Sequence, residues 1–180
     1  EELSKAKINV DLIIQATREE NSNDITFTIS EKFLEKTIEQ CDLIISQIGG
    51  KYSITQNMTK LSIQGAGIMG RPSISAEFFD TLSKANINVR LIATSEIKVS
   101  CVIDLQDIAK AIRFIGEKFK LCSDQIFINP ISEKKDKPEV RGIALDKNQV
   151  QVSFRNLPDK PGVAASICLA LAEANLIFDT

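Results

Sequence analysis

LSIQGAGIMGRPSISAEFFDTLSKANINVRLIATSEIKVSCVID, residues 61–104, is the one complete copy of a unit that this chain carries three times. It opens on an apolar-rich strand at 61–64, followed by the glycine turn Gly65-Ala66-Gly67. Arg71-Pro72-Ser73 then starts a helix in which Ile74, Phe78, Phe79 and Leu82 recur at helical spacing, which predicts one buried face. Ala85-Asn86 stops that helix, and two β-rich runs follow at 87–93 and 97–103. The order is strand, helix, strand, strand.

Both flanks repeat the unit. Leu61 aligns with Val150, 89 positions on, and the offset holds without a gap to Thr180. Under it Pro72 meets Pro161, Ala76 meets Ala165, Leu82 meets Leu171, and Ala85-Asn86 meets Ala174-Asn175. At the other end, Leu3-Ser4-Lys5-Ala6 and Ile8-Asn9-Val10 match Leu82-Ser83-Lys84-Ala85 and Ile87-Asn88-Val89 at an offset of 79. Further on the offset falls to 74, where Leu34 meets Ile108 and Ile38 meets Ile112. The first copy therefore carries about five extra residues between its two strands, in the polar turn at 17–24, where insertions are tolerated. Repeated supersecondary units of this size predict an array of small domains.

The bulk properties set limits. A length of 180 residues allows one or two ordinary domains, or two to three small ones. An apolar share of 43% is that of a soluble globular chain. No apolar run is long enough to cross a bilayer, and there is no signal peptide and no initiator Met. The chain begins inside what reads as a helix and stops inside what reads as a strand at 176–180, so it is expected to be a segment of a longer protein. The net charge of −2 and the scattered basic residues fit a nucleic-acid surface poorly. Histidine is absent, which removes imidazole metal ligands, Ser-His-Asp triads and imidazole acid–base chemistry. The cysteines Cys41, Cys101, Cys122 and Cys168 are widely spaced, with Cys101 and Cys168 at core-type positions. They read as inert buried thiols of a reducing compartment, with a regulatory disulfide as the alternative.

The remaining elements follow in order. Residues 8–16 read as a strand, and Ile25-Thr26-Phe27-Thr28-Ile29 has the period of a half-buried strand. Ser30 is a candidate N-cap for a helix carrying Phe33, Leu34, Ile38, Cys41 and Ile45 on one face, ended by Gly49-Gly50. A closing strand is expected at 51–55. After Asp104, another candidate cap, Ile108, Ala111, Ile112, Ile115 and Phe119 form a helical stripe, and 124–129 is expected as the final strand. A polar linker with Pro138 follows at 132–139; 140–145 would add a strand, and 150–180 would be β-α-β of the third copy. The full unit is β-α-β-β-α-β. The fold class is therefore α+β, with tandem ferredoxin-like domains of antiparallel sheet and helices on one face. The boundaries are the C-terminal part of a first domain at 1–56, a complete second at 57–132, a linker at 133–144, and the N-terminal part of a third at 145–180. Units of roughly 60–70 residues bury only about 60% of their unfolded surface, so each gains from packing on a sister copy.

Residues 65–104 resemble the regulatory part of aspartate kinases, which is built from ACT domains. The most specific piece is Ile92-Ala93-Thr94-Ser95-Glu96-Ile97 running into Val99-Ser100-Cys101-Val102. Asn23-Asp24-Ile25-Thr26-Phe27-Thr28 is similar to the second strand of the family's first ACT unit. Leu157-Pro158-Asp159-Lys160-Pro161-Gly162-Val163-Ala164-Ala165 looks like the start of another tandem pair, as in the four-ACT cyanobacterial type. The resemblance implies feedback inhibition, by lysine, threonine or both, of the ATP-dependent phosphorylation of L-aspartate to 4-phospho-L-aspartate. It implies a kinase domain of the same chain holding ATP and Mg outside this segment, a homodimer through ACT pairing, no nucleic-acid or membrane partner, and a cytoplasmic protein (plastid stroma if from a plant). No cofactor and no catalytic residue is expected in the segment itself: there is no phosphate-cradling glycine motif with its Lys, and no paired carboxylates in a cleft.

A physical case for amino-acid binding stands beside the resemblance. Asp159-Lys160-Pro161-Gly162 places a helix N-terminus, with its free N–H groups, behind an acidic residue; Gly162 permits close approach and Pro161 suits the first turn. The same chemistry also serves a plain helix start. By match to the family, effector contacts fall on Asp159, Gly162, Val163 and Ala164 in the third copy, Asn9, Val10, Asp11 and Gln15 in the first, and Asn88, Val89, Thr94, Ser95 and Glu96 in the second. The second copy departs from the pattern: Ser73 stands where the third has Gly162, and Arg90 where the first has Asp11. A Cβ crowds the ligand and a cation repels its ammonium, so the second copy is expected to act mainly as a pairing partner. The competing readings are an ACT sensor or dimerisation module without a kinase, and an RNA-binding sheet. The central strands carry too few aromatics for the latter.

Overall fold

The computed structural model describes residues 3, 7–17, 23–68, 70–95, 97–126 and 152–176. They form two compact units, one drawn from Glu1–Arg71 and Val89–Ile108, the other from Pro72–Asn88 and Ala109–Leu176. Antiparallel sheets and helices make it an α+β structure, as the repeat predicts.

The first unit holds all the described strands. β1 (Val10–Thr17) pairs antiparallel with β2 (Asn23–Ile29). A bulge near Val10 is bridged by the Leu12 amide, which donates to Thr28 Oγ1 at 3.2 Å. The second sheet has the order β3-β5-β4, from β3 (Met58–Gln64), β4 (Leu91–Ser95) and β5 (Lys98–Asp104), all antiparallel. Its centre is β5, whose Val99, Cys101 and Ile103 lie on one face and Ser100 and Val102 on the other, all buried. The buried Ser100 hydroxyl is satisfied by Ser62 across the ladder, at 2.9 Å. Ser95 pairs with Lys98 in the second copy, and Ala16 with Asp24 in the first. By the offsets of 79 and 74 these are the same pair, so the extra residues of the first copy lie wholly in the turn.

Helix starts and stops repeat as well. α1 (Leu34–Ile48) and α3 (Ile108–Phe119) are each preceded by a 3-10 turn, Glu31–Phe33 and Leu105–Asp107, 74 positions apart. This overturns the expected side-chain caps. Neither Ser30 nor Asp104 caps with its side chain. The tight turn satisfies the first donors by backbone, as in Phe33 N–H to the Ser30 carbonyl at 2.9 Å, and Asp104 instead faces Arg90 at 3.7 Å. α2 (Pro72–Lys84) and α4 (Val163–Glu173) belong to the second unit and pack along each other. α2 presents the predicted apolar face, with Phe78, Phe79 and Leu82 fully buried and the two phenyl rings edge to face at 5.1 Å. Lys118 on α3 pairs with Glu77 on α2 at 2.8 Å.

The three copies share one helix stop. Lys7, Asn86 and Asn175 are left-handed, with φ of 54°, 51° and 54°. Each is followed by an amide that reaches back five residues: Ile8 to Leu3, Ile87 to Leu82 and Leu176 to Leu171, at 2.9, 3.0 and 2.9 Å. In the second and third copies the Asn86 and Asn175 amides also donate to the Ser83 and Ala172 carbonyls, at 2.8 and 2.9 Å, which completes the Schellman motif. α3 ends the same way at Lys120. α1 ends instead at Gly49, whose amide donates to the Ile45 carbonyl.

Some expected strands are not formed. Residues 51–55 are exposed coil, with the Tyr52 hydroxyl donating to Asp42 on α1 at 2.7 Å. Residues 152–155 are likewise exposed coil, and Ser123–Gln125 is a 3-10 turn where the final strand was expected to begin. The rest of that strand, the linker at 132–139, the strand at 140–145 and the last strand at 177–180 lie outside the described residues.

Leu82→Ala should destabilise the fold by about 2–5 kcal/mol, read from urea melts, because a buried leucine leaves both lost transfer energy and a cavity. Burial pushes the thiols of Cys101 and Cys168 up from 9.0, to about 12 and about 11. Above pH ~9 the unfolded chain therefore gives up protons that the folded chain keeps, so stability falls as pH rises toward these values. Thermal melts at rising alkaline pH check the sign, and a thiol reagent at neutral pH should label the exposed Cys122 first.

Candidate functional site

The loop before α4 departs from its equivalent before α2. By the offset of 89, Pro161 corresponds to Pro72, which is the first residue of α2. Yet α4 begins two residues later, at Val163. The cause is Gly162, which is left-handed at φ 96°, whereas Ser73 at the matching position is helical. The Gly162 carbonyl accepts both the amide and the hydroxyl of Ser166, each at 2.9 Å. A Cβ built on Gly162 would stand 2.8 Å from Ser83 Oγ and 3.9 Å from Ser83 Cβ, so the glycine backbone lies directly on α2.

One pair of expected site residues meets. The Asn88 amide, two residues past the left-handed stop at Asn86, donates to Asp159 Oδ1 at 2.8 Å. Asn88 belongs to the second copy and Asp159 to the third, so the contact ties successive copies. Asp159 is exposed and Asn88 half-buried. Val163 and Ala164 open α4 immediately behind Gly162, where helix geometry supplies backbone N–H donors. A carboxylate, an amide and a helix start together offer a complement to an ammonium and a carboxylate, the two charges of a free amino acid.

The other expected positions are spread out. Asn9 and Val10 stand at the start of β1 and Gln15 pairs with Ile25 near its far end. Six steps of strand span about 20 Å, more than a single amino acid reaches. Asp11 forms an ion pair with Lys60 on β3. Val89 precedes β4; Thr94 pairs with Val99 and Ser95 with Lys98, the Ser95 hydroxyl reaching the Lys98 carbonyl at 3.3 Å. Glu96 lies outside the described residues. Ser83 and Lys60 were not singled out by sequence reasoning. A serine on a helix and a lysine on a strand carry no local mark of the residue they meet. Among the described residues no group of acidic or thiol side chains could hold a metal ion, and no helix is long and apolar enough to cross a membrane.

Residues 61–119 match a family model described as an ACT domain. The aspartate kinase of Synechocystis, a solved structure, is 37% identical with a TM-score of 0.82 over 97% of this chain and 30% of its own. A structure of aspartokinase alpha and beta subunits is 32% identical with a TM-score of 0.59, over 67% of this chain and 75% of that one. The aspartate kinase Ask_LysC of Stutzerimonas stutzeri is 33% identical over 120 residues, 66% of this chain but 29% of that protein. Residues 61–119 thus form an ACT domain. The chain belongs to the aspartate kinase family, in its regulatory ACT region, and it spans under a third of the length of the whole enzymes it resembles.

Gly162→Ala is expected to cost about 1–2 kcal/mol, since the left-handed φ and the approach to Ser83 both disfavour a Cβ. Combining it with Ser83→Gly should recover the steric part and leave the backbone part, which denaturant melts of the two single variants and the double will separate.

Proposed function

We propose that this chain is the amino-acid-sensing, allosteric segment of an aspartate kinase. On this reading lysine, threonine or both bind the ACT region and inhibit the ATP-dependent phosphorylation of L-aspartate to 4-phospho-L-aspartate. The kinase domain, with its ATP and Mg, lies outside residues 1–180, and the protein is a cytoplasmic homodimer joined through ACT pairing. The domain division proposed is the end of one ACT unit at 1–56, a whole unit at 57–132, a linker at 133–144 and the start of a third at 145–180, the third opening a second tandem pair.

The observation that carries the proposal is the Asn88–Asp159 contact between successive copies. Both residues belong to the effector set that the family resemblance implies, and their side chains meet across the join of two units that repeat at an offset of 89. The contact sits beside a helix start that presents N–H groups, which favours a ligand carboxylate there and its ammonium at Asp159. Val89, Thr94, Ser95 and Glu96 in the second copy, and Asn9, Val10, Asp11 and Gln15 in the first, are proposed as secondary contacts in the assembled protein.

Calorimetric titration of lysine and of threonine into the full-length protein tests this. Asp159→Ala should weaken binding about tenfold or more, the worth of one hydrogen bond to a charged group. It should also relieve inhibition of aspartate phosphorylation to a similar extent. Unchanged binding and inhibition would sink the reading.

A further inference from the structure

The repeat position that carries Asp11 in the first copy carries Arg90 in the second, and both are held in ion pairs. Arg90 is paired inside its own copy, with Asp104 at the end of β5 at 3.7 Å. In the first copy the residue matching Asp104, by the offset of 74, is Ser30, which carries no charge. Asp11 is paired across copies instead, with Lys60 on β3. Opposite Lys60 in its own sheet stands Val102 and beyond it Leu91, both apolar, while Asp104, two residues further along β5, faces Arg90. The Lys60 ammonium reaches the β1 carboxylate, with side-chain exposures of 32% for Lys60 and 41% for Asp11. At that exposure water and a small solute have access to both groups, so the pair is exchangeable.

Lys60 Nζ is a primary alkylammonium, set on a carboxylate that the reading above gives to an effector's ammonium. A carboxylate has lone pairs for more than one donor, but a second ammonium beside the first is repelled by it. We propose that Lys60 is a tethered competitor at the first-copy effector position. Its ammonium covers Asp11, and a free amino acid binds there only in the fraction of molecules in which the Lys60–Asp11 pair is open. The inference rests on the amino-acid reading proposed above and adds the residue that sets the affinity of the first-copy position. An exposed pair of this kind is closed about 1.4 to 5 times as often as it is open. Removing the competitor should then tighten the binding step that depends on Asp11 by about two- to sixfold.

Calorimetric titration of L-lysine and of L-threonine into the full-length protein tests this. Lys60→Met should bind at least one of the two more tightly than wild type by that factor. Lys60→Arg restores the cation and should show no gain. Lys36→Gln removes a charge from the exposed surface of α1 and should also show none, which separates the pair from the net charge. Asp11→Asn/Lys60→Met should lose the gain, because the carboxylate is gone. Raising the salt concentration should bring the ratio of wild type to Lys60→Met toward one, since screening opens the pair by itself; a merely structural lysine would leave that ratio flat. No tightening in Lys60→Met, or a gain that survives in the double variant, overturns the inference. A double-mutant cycle of Asp11→Asn and Lys60→Met in urea melts decides without a ligand, because zero coupling means that there is no tie to compete. Asp159→Ala bears on the other position alone. If it removes no binding, the reading of the Asn88–Asp159 contact fails, while Lys60→Met still decides the position at Asp11.

Discussion

One left-handed residue, repeated at Lys7, Asn86 and Asn175, sets the geometry on which the contact between copies depends. At Asn86 the chain leaves α2, closes the back-bond from Ile87 to Leu82, and turns toward β4. Ile87 is buried at that turn, as Ile8 is at the matching turn of the first copy, which is the apolar contact that accompanies such a stop. Asn88 follows at once. Its distance along the chain from the stop is fixed at two residues, so the helix end determines where its amide can reach. A side chain of ordinary branching would pay strain at this φ, whereas asparagine tolerates it. The three stops use Lys, Asn and Asn, and the same five-residue back-bond forms at each.

Against that common frame, the difference between Ser73 and Gly162 has an outsized effect. A missing Cβ permits a left-handed N-cap, delays α4 by two residues relative to α2, and lets the loop lie on Ser83. The delay leaves Asp159 in a turn that Asn88 meets. In the second copy the helix begins at Pro72, and the residue matching Asp159 is Gly70. Repeats that share their helix stops can therefore diverge in their helix starts, and in this region the starts carry the polar chemistry.

The architecture was legible in the sequence because its punctuation is local. Ala85-Asn86 and Gly49-Gly50 mark helix ends by residue type, the apolar spacing through Phe78, Phe79 and Leu82 marks a buried face, and two offsets reveal the turn insertion before any coordinate does. What failed depended on partners. Ser30 and Asp104 are good cap residues by chemistry, but a 3-10 turn satisfied the backbone first. Residues 51–55 and 152–155 have strand-like composition, but composition alone does not name the neighbouring edge that a strand must bond to. At the site, Asp159 and Asn88 could be singled out one by one, since each resembles a family position. That they touch, and that Gly162 faces Ser83 on a neighbouring helix, are facts of tertiary packing to which no local pattern points.

The energetics of the junction suit a sensor. The Asn88–Asp159 bond is exposed, and an exposed hydrogen bond to a carboxylate contributes on the order of 1 kcal/mol net, because water competes for both partners. Allosteric coupling free energies are themselves about 1–3 kcal/mol. A tie between copies that was much stronger could not be biased by a small ligand, and one much weaker would transmit nothing. The buried face of α2 lies well above that range, as each large apolar side chain contributes about 1.5–3 kcal/mol. The helix core therefore holds while the polar contact at its edge can be exchanged. On the proposed reading an amino acid's ammonium competes for Asp159 with the Asn88 amide, and the free energy it can transmit is bounded by the contact it replaces.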